Sequence, residues 1–292
     1  MIITGETILT GVFGWPVKHS LSPVFQNAAF DFYGLNWIYV PFEVKPDQLG
    51  KAVDAIRFFS IKGVNVTIPH KKEVIQYLDS VDEEVQFLQV VNTIVNENGC
   101  LKGYTTDSAG FLRSLKEDGK FSPEKKVVFL FGAGGSAFAI AGGLVKSGVS
   151  GIFICNRTIE KAFQIKNHLK KNFGFDNTEI IPFEKRNDTE IWKSVNLIVN
   201  TTSVGMVCDD TVLVDSKNIH EGVFVYDIVY NRETTLISYA RKKNIRYLNG
   251  LSMLVFQGAV SFTIWTGLKA PVDAMKKSLM EFNQKAHNAK KT

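Results

Sequence analysis

At 292 residues, with 45% hydrophobic and 22% charged residues, the chain has an ordinary globular composition, long enough for one large domain or two modest ones. Its formal charge of +5, partly from Lys285, Lys290 and Lys291 at the tail, is mild, and no Arg/Lys stripe interleaved with aromatics marks a nucleic-acid face. Cys100, Cys155 and Cys208 form no CxxC pair, metal spacing or disulfide framework, and no secretory signal is visible, which points to a reducing, cytoplasmic setting.

Short β-rich runs alternate with helical patterns along the chain. Residues 8–14, 37–42 and 63–68 read as strands, and 23–33 and 47–59 as helices opened by Pro23 and Pro46. Asn98-Gly99 marks a hairpin turn between strands 93–96 and 101–105. After a loop at Ser122-Pro123 the pattern restarts, with strand 127–131, a helix to 147, strand 152–155 and helix 160–172. Further strands are expected at 180–182, 197–200, 223–229 and 245–248, and helices at 253–266 and 272–287. Strands joined by crossover helices imply an α/β protein with mostly parallel sheets covered on both faces. The restart near residues 107–125 divides it into two α/β domains.

Two uncharged stretches, 127–145 and 250–268, are long enough to raise the question of a membrane. The first is interrupted by Gly132, Gly134 and Gly135, which reads as strand, tight turn and helix. The second carries Ser252, Gln257, Ser261 and Thr263, which reads as a buried helix beside a polar site.

Gly132-Ala133-Gly134-Gly135-Ser136-Ala137 follows a strand of five apolar residues and fits G-x-G-x-x-A. The first glycine permits the turn, the second lets backbone approach a pyrophosphate, and Ala137 permits close helix packing. Exposed N–H groups and the helix dipole then hold phosphate. At the end of the second strand, where an NAD binder places a carboxylate, stand Asn156-Arg157-Thr158, with Lys161 one turn on. Arg157 can fork onto a 2′-phosphate and Thr158 can donate to it, so the cofactor expected is NADP. The bland alternative is a solvated arginine at a helix start.

Gly14-Trp15-Pro16-Val17-Lys18-His19-Ser20-Leu21-Ser22-Pro23 resembles the substrate loop of the shikimate dehydrogenase family, G-x-P-x-x-H-S-x-S-P. Asn65-Val66-Thr67-Ile68-Pro69-His70-Lys71 is similar to its N-V-T-x-P-x-K. Asn92-Thr93, Thr106-Asp107 with Gly110, and Gly250-x-x-Met253-Leu254-Val255-x-Gln257-Gly258-Ala259 resemble its later motifs. Asn200-Thr201-Thr202-Ser203-Val204-Gly205-Met206 is similar to its loop beside the cofactor, and Asp227-Ile228-Val229-Tyr230 to its D-x-x-Y.

The residue types suit a hydroxylated carboxylate. Ser20 and Ser22 offer hydroxyls at a helix start, as ligands or as caps. Asn65 and Thr67 are expected on one face of a strand, and Asn65, Asn92 and Gln257 both donate and accept. Lys71 can supply a proton to a carbonyl oxygen and Asp107 can orient it. Read without the resemblance, Lys71-Lys72 is an exposed helix start and Asp107 an N-cap for 108–116.

The resemblance implies a substrate domain at 1–106 completed by 251–292, and a Rossmann-like dinucleotide domain at 107–250. It implies Lys71 and Asp107 as the catalytic pair, and Ser20, Ser22, Asn65, Thr67, Asn92, Tyr230 and Gln257 as substrate contacts. The cofactor contacts implied are Gly132, Ala133, Gly134, Gly135, Ser136, Ala137, Asn156, Arg157, Thr158, Lys161, Thr202, Ser203, Ile228 and Gly250. The expected reaction is reduction of 3-dehydroshikimate by NADPH, by a monomer or homodimer acting on a small molecule without a metal, nucleic acid or membrane. A quinate/shikimate dehydrogenase of broader substrate and cofactor use, and a silent nucleotide sensor on the same fold, are the alternatives. The sequence departs from the family at Gln89-Val90-Val91 for G-A-V, at Thr105 for asparagine, and at Phe138 for an arginine. The proline after Tyr230 is missing, leaving Thr234 and Thr235 as alternative counterparts of one family threonine.

Overall fold

The computed structural model describes residues 2–207 and 211–289; Cys208, Lys290 and Lys291 lie outside the described residues. In chain order the elements are β1 (Ile8–Gly14), α1 (Ser22–Phe32), β2 (Trp37–Glu43), α2 (Leu49–Phe58), β3 (Gly63–Val66), β4 (Ser80–Val81), α3 (Glu83–Leu88), β5 (Thr93–Glu97) and β6 (Cys100–Tyr104). Next come α4 (Asp107–Glu117), β7 (Val127–Phe131), α5 (Gly135–Lys146), β8 (Gly151–Cys155), α6 (Ile159–Phe173), β9 (Thr178–Ile181), α7 (Thr189–Trp192) and β10 (Leu197–Asn200). The chain closes with β11 (Phe224–Asp227), α8 (Thr235–Lys242), β12 (Tyr247–Asn249), α9 (Leu251–Thr266) and α10 (Val272–Ala289). It divides into two compact units, residues 1–106 with 254–292, and residues 107–253.

The first unit holds a six-stranded sheet in the order β2-β1-β3-β5-β6-β4. β5 runs antiparallel to β3 and β6 through the expected hairpin, and the remaining pairs are parallel. Its core gathers Phe13, Val53, Ile56, Val64, Val66, Ile94 and Leu101. The second unit is a six-stranded, wholly parallel sheet in the order β12-β11-β10-β7-β8-β9. The chain runs outward from β7 to β9 on one side, then returns to β10 and runs to β12 on the other. This is the doubly wound order, with its switch point between β7 and β10. Phe129 stacks on Trp192 at 4.3 Å in the core on one face of that sheet.

Several expected boundaries move. Pro46 opens a single 3₁₀ turn, and α2 begins only at Leu49. β3 stops at Val66, because the backbone turns and His70 N–H closes on the Thr67 carbonyl at 2.9 Å. β11 covers only Phe224–Asp227, and β12 starts two residues later than expected. α3, α7 and the two-residue β4 carry no visible periodicity in the sequence, since each is too short to show one, whereas α8 buries Leu236, Ile237 and Ala240 at helical spacing that the expected elements left out. Asp82 starts α3 by accepting from Val85 N–H at 2.9 Å. Gln89 ends α3 with φ +52°, the left-handed conformation that suits the family's glycine. The apolar stretches flagged in the sequence fold as β7 with α5, and as α9; no helix among the described residues is long and apolar enough to cross a membrane.

Candidate active site

In the first unit the functional motifs meet around the carboxyl ends of β1 and β3, where open α/β sheets bind ligands. Two loops are laced there. Thr67 N–H donates to Phe13 O at 2.9 Å and Trp15 N–H to Ile68 O at 2.9 Å. Gly14 makes this approach possible, because a Cβ on it would lie 2.5 Å from the Thr67 methyl. Thr67 stands one residue beyond the end of β3, and its N–H still pairs with β1 through Phe13 O. Asn65 lies on buried β3, whereas Thr67 is half-buried in the turn.

Ser22 is the first residue of α1 and buried, but it makes no side-chain cap; the cap position falls on Leu21. Ser20 Oγ instead accepts from Ser22 N–H at 3.3 Å. Capping thus does not occupy the Ser22 hydroxyl. Lys71 follows the same turn and is only 9% exposed, and its carbonyl accepts from Val91 N–H at 2.8 Å, one residue before Asn92. It is not the solvated helix start that the bland reading gave.

A buried polar network fixes the amides beside it. Tyr39 Oη donates to Asn65 Oδ1 at 2.8 Å, so Asn65 Nδ2 must face the other way. There it finds Ser261 Oγ at 2.9 Å, Thr93 Oγ1 at 3.0 Å and Asn92 O at 3.1 Å, three acceptors for two protons. Asn92 Oδ1 accepts from Thr106 N–H at 2.8 Å, while its Nδ2 donates to Thr106 Oγ1 at 2.9 Å and Gln257 Oε1 at 3.3 Å. Gln257 Nε2 donates to Leu254 O at 2.8 Å, and Ser261 Oγ to Gln257 O at 3.1 Å. Asn65, Asn92 and Gln257 are thus brought together, held by Tyr39, Thr93, Thr106 and Ser261. The sequence reading missed those four as partners, because they lie up to 196 residues apart in sequence. Thr105, in place of the family's asparagine, leaves its buried hydroxyl without a hydrogen bond.

In the second unit the glycine turn stands at the carboxyl end of β7. Gly132 has φ +105°, and a Cβ there would lie 2.5 Å from Thr201 Oγ1. Its N–H donates to Cys155 O at 2.9 Å, tying the turn to β8. Gly134 caps α5, and a Cβ on it would meet no atom within 4 Å, so its backbone faces open space at the start of a 12-residue helix. Ala137 is fully buried. An open backbone cradle, a helix N-terminus and small residues beneath are the features a pyrophosphate needs, so the turn fits a dinucleotide.

At the end of β8, Arg157, Thr158 and Lys161 are exposed. Thr158 takes the cap position of α6 without a side-chain cap, and Asn156 Nδ2 folds back on its carbonyl at 2.8 Å. No carboxylate stands at these strand-end positions. Phe138 does not reach this surface: it is 4% exposed, with its ring 5.3 Å from that of His168. Beyond β10, Thr202 is half-buried and Ser203 exposed. Beyond β11, Ile228 and Tyr230 are half-buried, and a Cβ on Gly250 would overlap the Ile228 carbonyl. Asp107 is buried as the first residue of α4, where its charge complements the helix dipole. Thr234 caps α8 by accepting from Ile237 N–H at 3.2 Å, which identifies it, rather than Thr235, as the threonine with a structural role.

The chain matches the shikimate dehydrogenase substrate binding domain over residues 12–94, the shikimate / quinate 5-dehydrogenase family over 116–236, and the shikimate 5′-dehydrogenase C-terminal domain over 250–280. It is 39% identical to a shikimate dehydrogenase (NADP(+)) of Alkaliphilus oremlandii and 41% identical to one of Methanothermobacter thermautotrophicus. Each match covers 95% of this chain and 98% of the relative. Among solved structures, a shikimate dehydrogenase in complex with NADP+ superposes with a TM-score of 0.87 at 38% identity, over 96% of this chain and 97% of that one.

Proposed function

The chain belongs to the shikimate dehydrogenase family, and on that premise we propose that it interconverts 3-dehydroshikimate and shikimate with NADP as its cofactor. The observation that carries the reading is the near-full-length match to NADP-dependent shikimate dehydrogenases, joined to a glycine turn that fits a dinucleotide. Substrate is assigned to residues 1–106 with the closing helices, and cofactor to residues 107–250. The cofactor residues are Gly132 to Ala137 at the pyrophosphate, Asn156, Arg157, Thr158 and Lys161 at the 2′-phosphate, and Thr202, Ser203, Ile228 and Gly250 along the strand ends.

Reduction places a hydride on the carbonyl carbon, which bound NADPH supplies, and a proton on the carbonyl oxygen. Lys71 is the proposed source of that proton, and Asp107 the carboxylate that steadies its charge. Ser20 and Ser22 hold the ring carboxylate by charge-assisted hydrogen bonds from their hydroxyls. Thr67, Asn65, Asn92, Gln257 and Tyr230 take the ring hydroxyls. Amides locked by neighbours keep that geometry without reorganising during the reaction, which is what makes positioned donors effective.

The test is Lys71→Ala. Turnover with shikimate is expected to fall by about 100-fold or more, the usual scale for a general acid, while NADPH binding stays within about twofold. Unchanged turnover overturns the assignment of Lys71. The second reading, a dehydrogenase that also takes quinate, is favoured by the shikimate / quinate 5-dehydrogenase match over residues 116–236.

A further inference from the structure

One buried carboxylate takes no part in this chemistry. Asp227, the last residue of β11, is fully buried. Two donors meet its Oδ1, Asn200 Nδ2 at 2.9 Å and Val229 N–H at 3.0 Å, and Thr234 Oγ1 meets its Oδ2 at 2.7 Å. All three partners are uncharged. Burial pushes its carboxyl up to about 6, against the pull of those three hydrogen bonds, and all three partners approach as N–H or O–H donors, the set an ionised carboxylate takes.

An ionised carboxylate only accepts hydrogen bonds, and that sets the polarity of everything attached to it. Asn200 must turn its amino group toward Asp227, with Val204 O at 3.4 Å also within its reach. Its Oδ1 therefore points into the following loop, where it accepts from Thr202 N–H at 2.9 Å and from Thr202 Oγ1 at 2.7 Å. The Thr202 hydroxyl in turn accepts from Val204 N–H at 3.1 Å. On the other side, Val229 N–H anchors the turn leaving β11, where Ile228 packs against Gly250. Thr234, as cap of α8, ties the third element to the same carboxylate. One charge thus orders two loops at adjacent strand ends.

We infer that Asp227 is a positioning residue for the cofactor: through Asn200 it fixes the loop 200–204, and through Val229 the segment 228–230. The inference rests on the proposed function, which puts Thr202, Ser203 and Ile228 against the dinucleotide. An amide in its place keeps one acceptor oxygen for Asn200 Nδ2 and Val229 N–H and turns its amino group to the Thr234 hydroxyl, which can accept, so the buried groups stay paired while the charge that holds Asn200 in one orientation is lost.

The test compares Asp227→Asn, Thr234→Ser and Thr234→Val with wild type. NADPH affinity is read from protein fluorescence, kinetics with shikimate and NADP+ give the KM values, and circular dichroism gives the thermal midpoint. For Asp227→Asn the expected result is a midpoint at or above wild type, an NADPH Kd raised about tenfold or more, and a KM for shikimate within about twofold. Thr234→Ser keeps the hydroxyl and is expected to bind as wild type, whereas Thr234→Val weakens NADPH binding in the same direction. An Asp227→Asn protein that binds NADPH within about twofold of wild type overturns the inference. So does weakening that tracks a fall in midpoint and appears equally in Thr234→Ser and Thr234→Val. Because NADPH titration needs no substrate, it decides the inference even if wild type proves inactive with shikimate, a result that would count against the proposed function alone.

Discussion

Asp227→Asn also makes a thermodynamic prediction with a definite sign. The folded-state pKa of Asp227 is raised from 3.8 to about 6, and desolvation is the dominant cause. Between those two values the folded chain holds a proton that the unfolded chain releases. Stability is therefore full at low pH, declines as pH rises through the window, and levels off above about pH 6. That change corresponds to roughly 3 kcal/mol. Asparagine matches the protonated form in shape and does not ionise. The variant should thus differ little from wild type near pH 4 and exceed it by roughly 3 kcal/mol near pH 8. Urea unfolding at steps of pH measures this, with Trp192, stacked on Phe129 in the core of the second unit, as the fluorescent reporter. A stability difference that is flat with pH, or that shrinks as pH rises, would show that the buried charge of Asp227 does not cost stability. Together with weakened NADPH binding, the expected result would mark a residue kept for function at the expense of stability.

Two other outcomes follow from single positions. Gln89→Gly should stabilise the chain by about 1 kcal/mol, since Gln89 holds φ +52° where glycine is unstrained; chemical denaturation checks it, and a destabilised variant contradicts it. Arg157→Ala should raise the KM for NADP+ by about tenfold or more while leaving any NAD+ activity nearly unchanged, because only the 2′-phosphate is lost as a partner; equal effects on both nicotinamides contradict the assignment.

Much of the second unit was legible in the sequence because its signals are local. Five consecutive apolar residues, 127–131, short and closed by a glycine run, read as a strand buried on both faces, and that glycine run has a fixed geometric purpose. The Asn98-Gly99 hairpin was legible for the same reason. What stayed hidden depends on partners far away in sequence. Asn65 read only as a strand residue able to donate and accept, and its orientation is fixed by Tyr39, 26 residues away, and by Ser261, 196 residues away. Asp227 read as one letter of a motif, and only the folded chain sets Asn200 and Thr234 against it. Phe138 read only as a departure from the family's arginine, and the fold shows where it goes, with its ring buried against His168. The choice between Thr234 and Thr235 turned on a single capping hydrogen bond. Short elements such as α3 escaped because six residues make fewer than two helical turns, too few for a hydrophobic period.

The central claim is the reaction itself. Its most direct test is a four-way comparison of initial rates in the reduced-nicotinamide absorption band, pairing shikimate or quinate with NADP+ or NAD+. Shikimate with NADP+ is expected to be the fastest pair, with quinate and NAD+ slower by about tenfold or more. Absorbance that fails to grow with shikimate under either nicotinamide would contradict it.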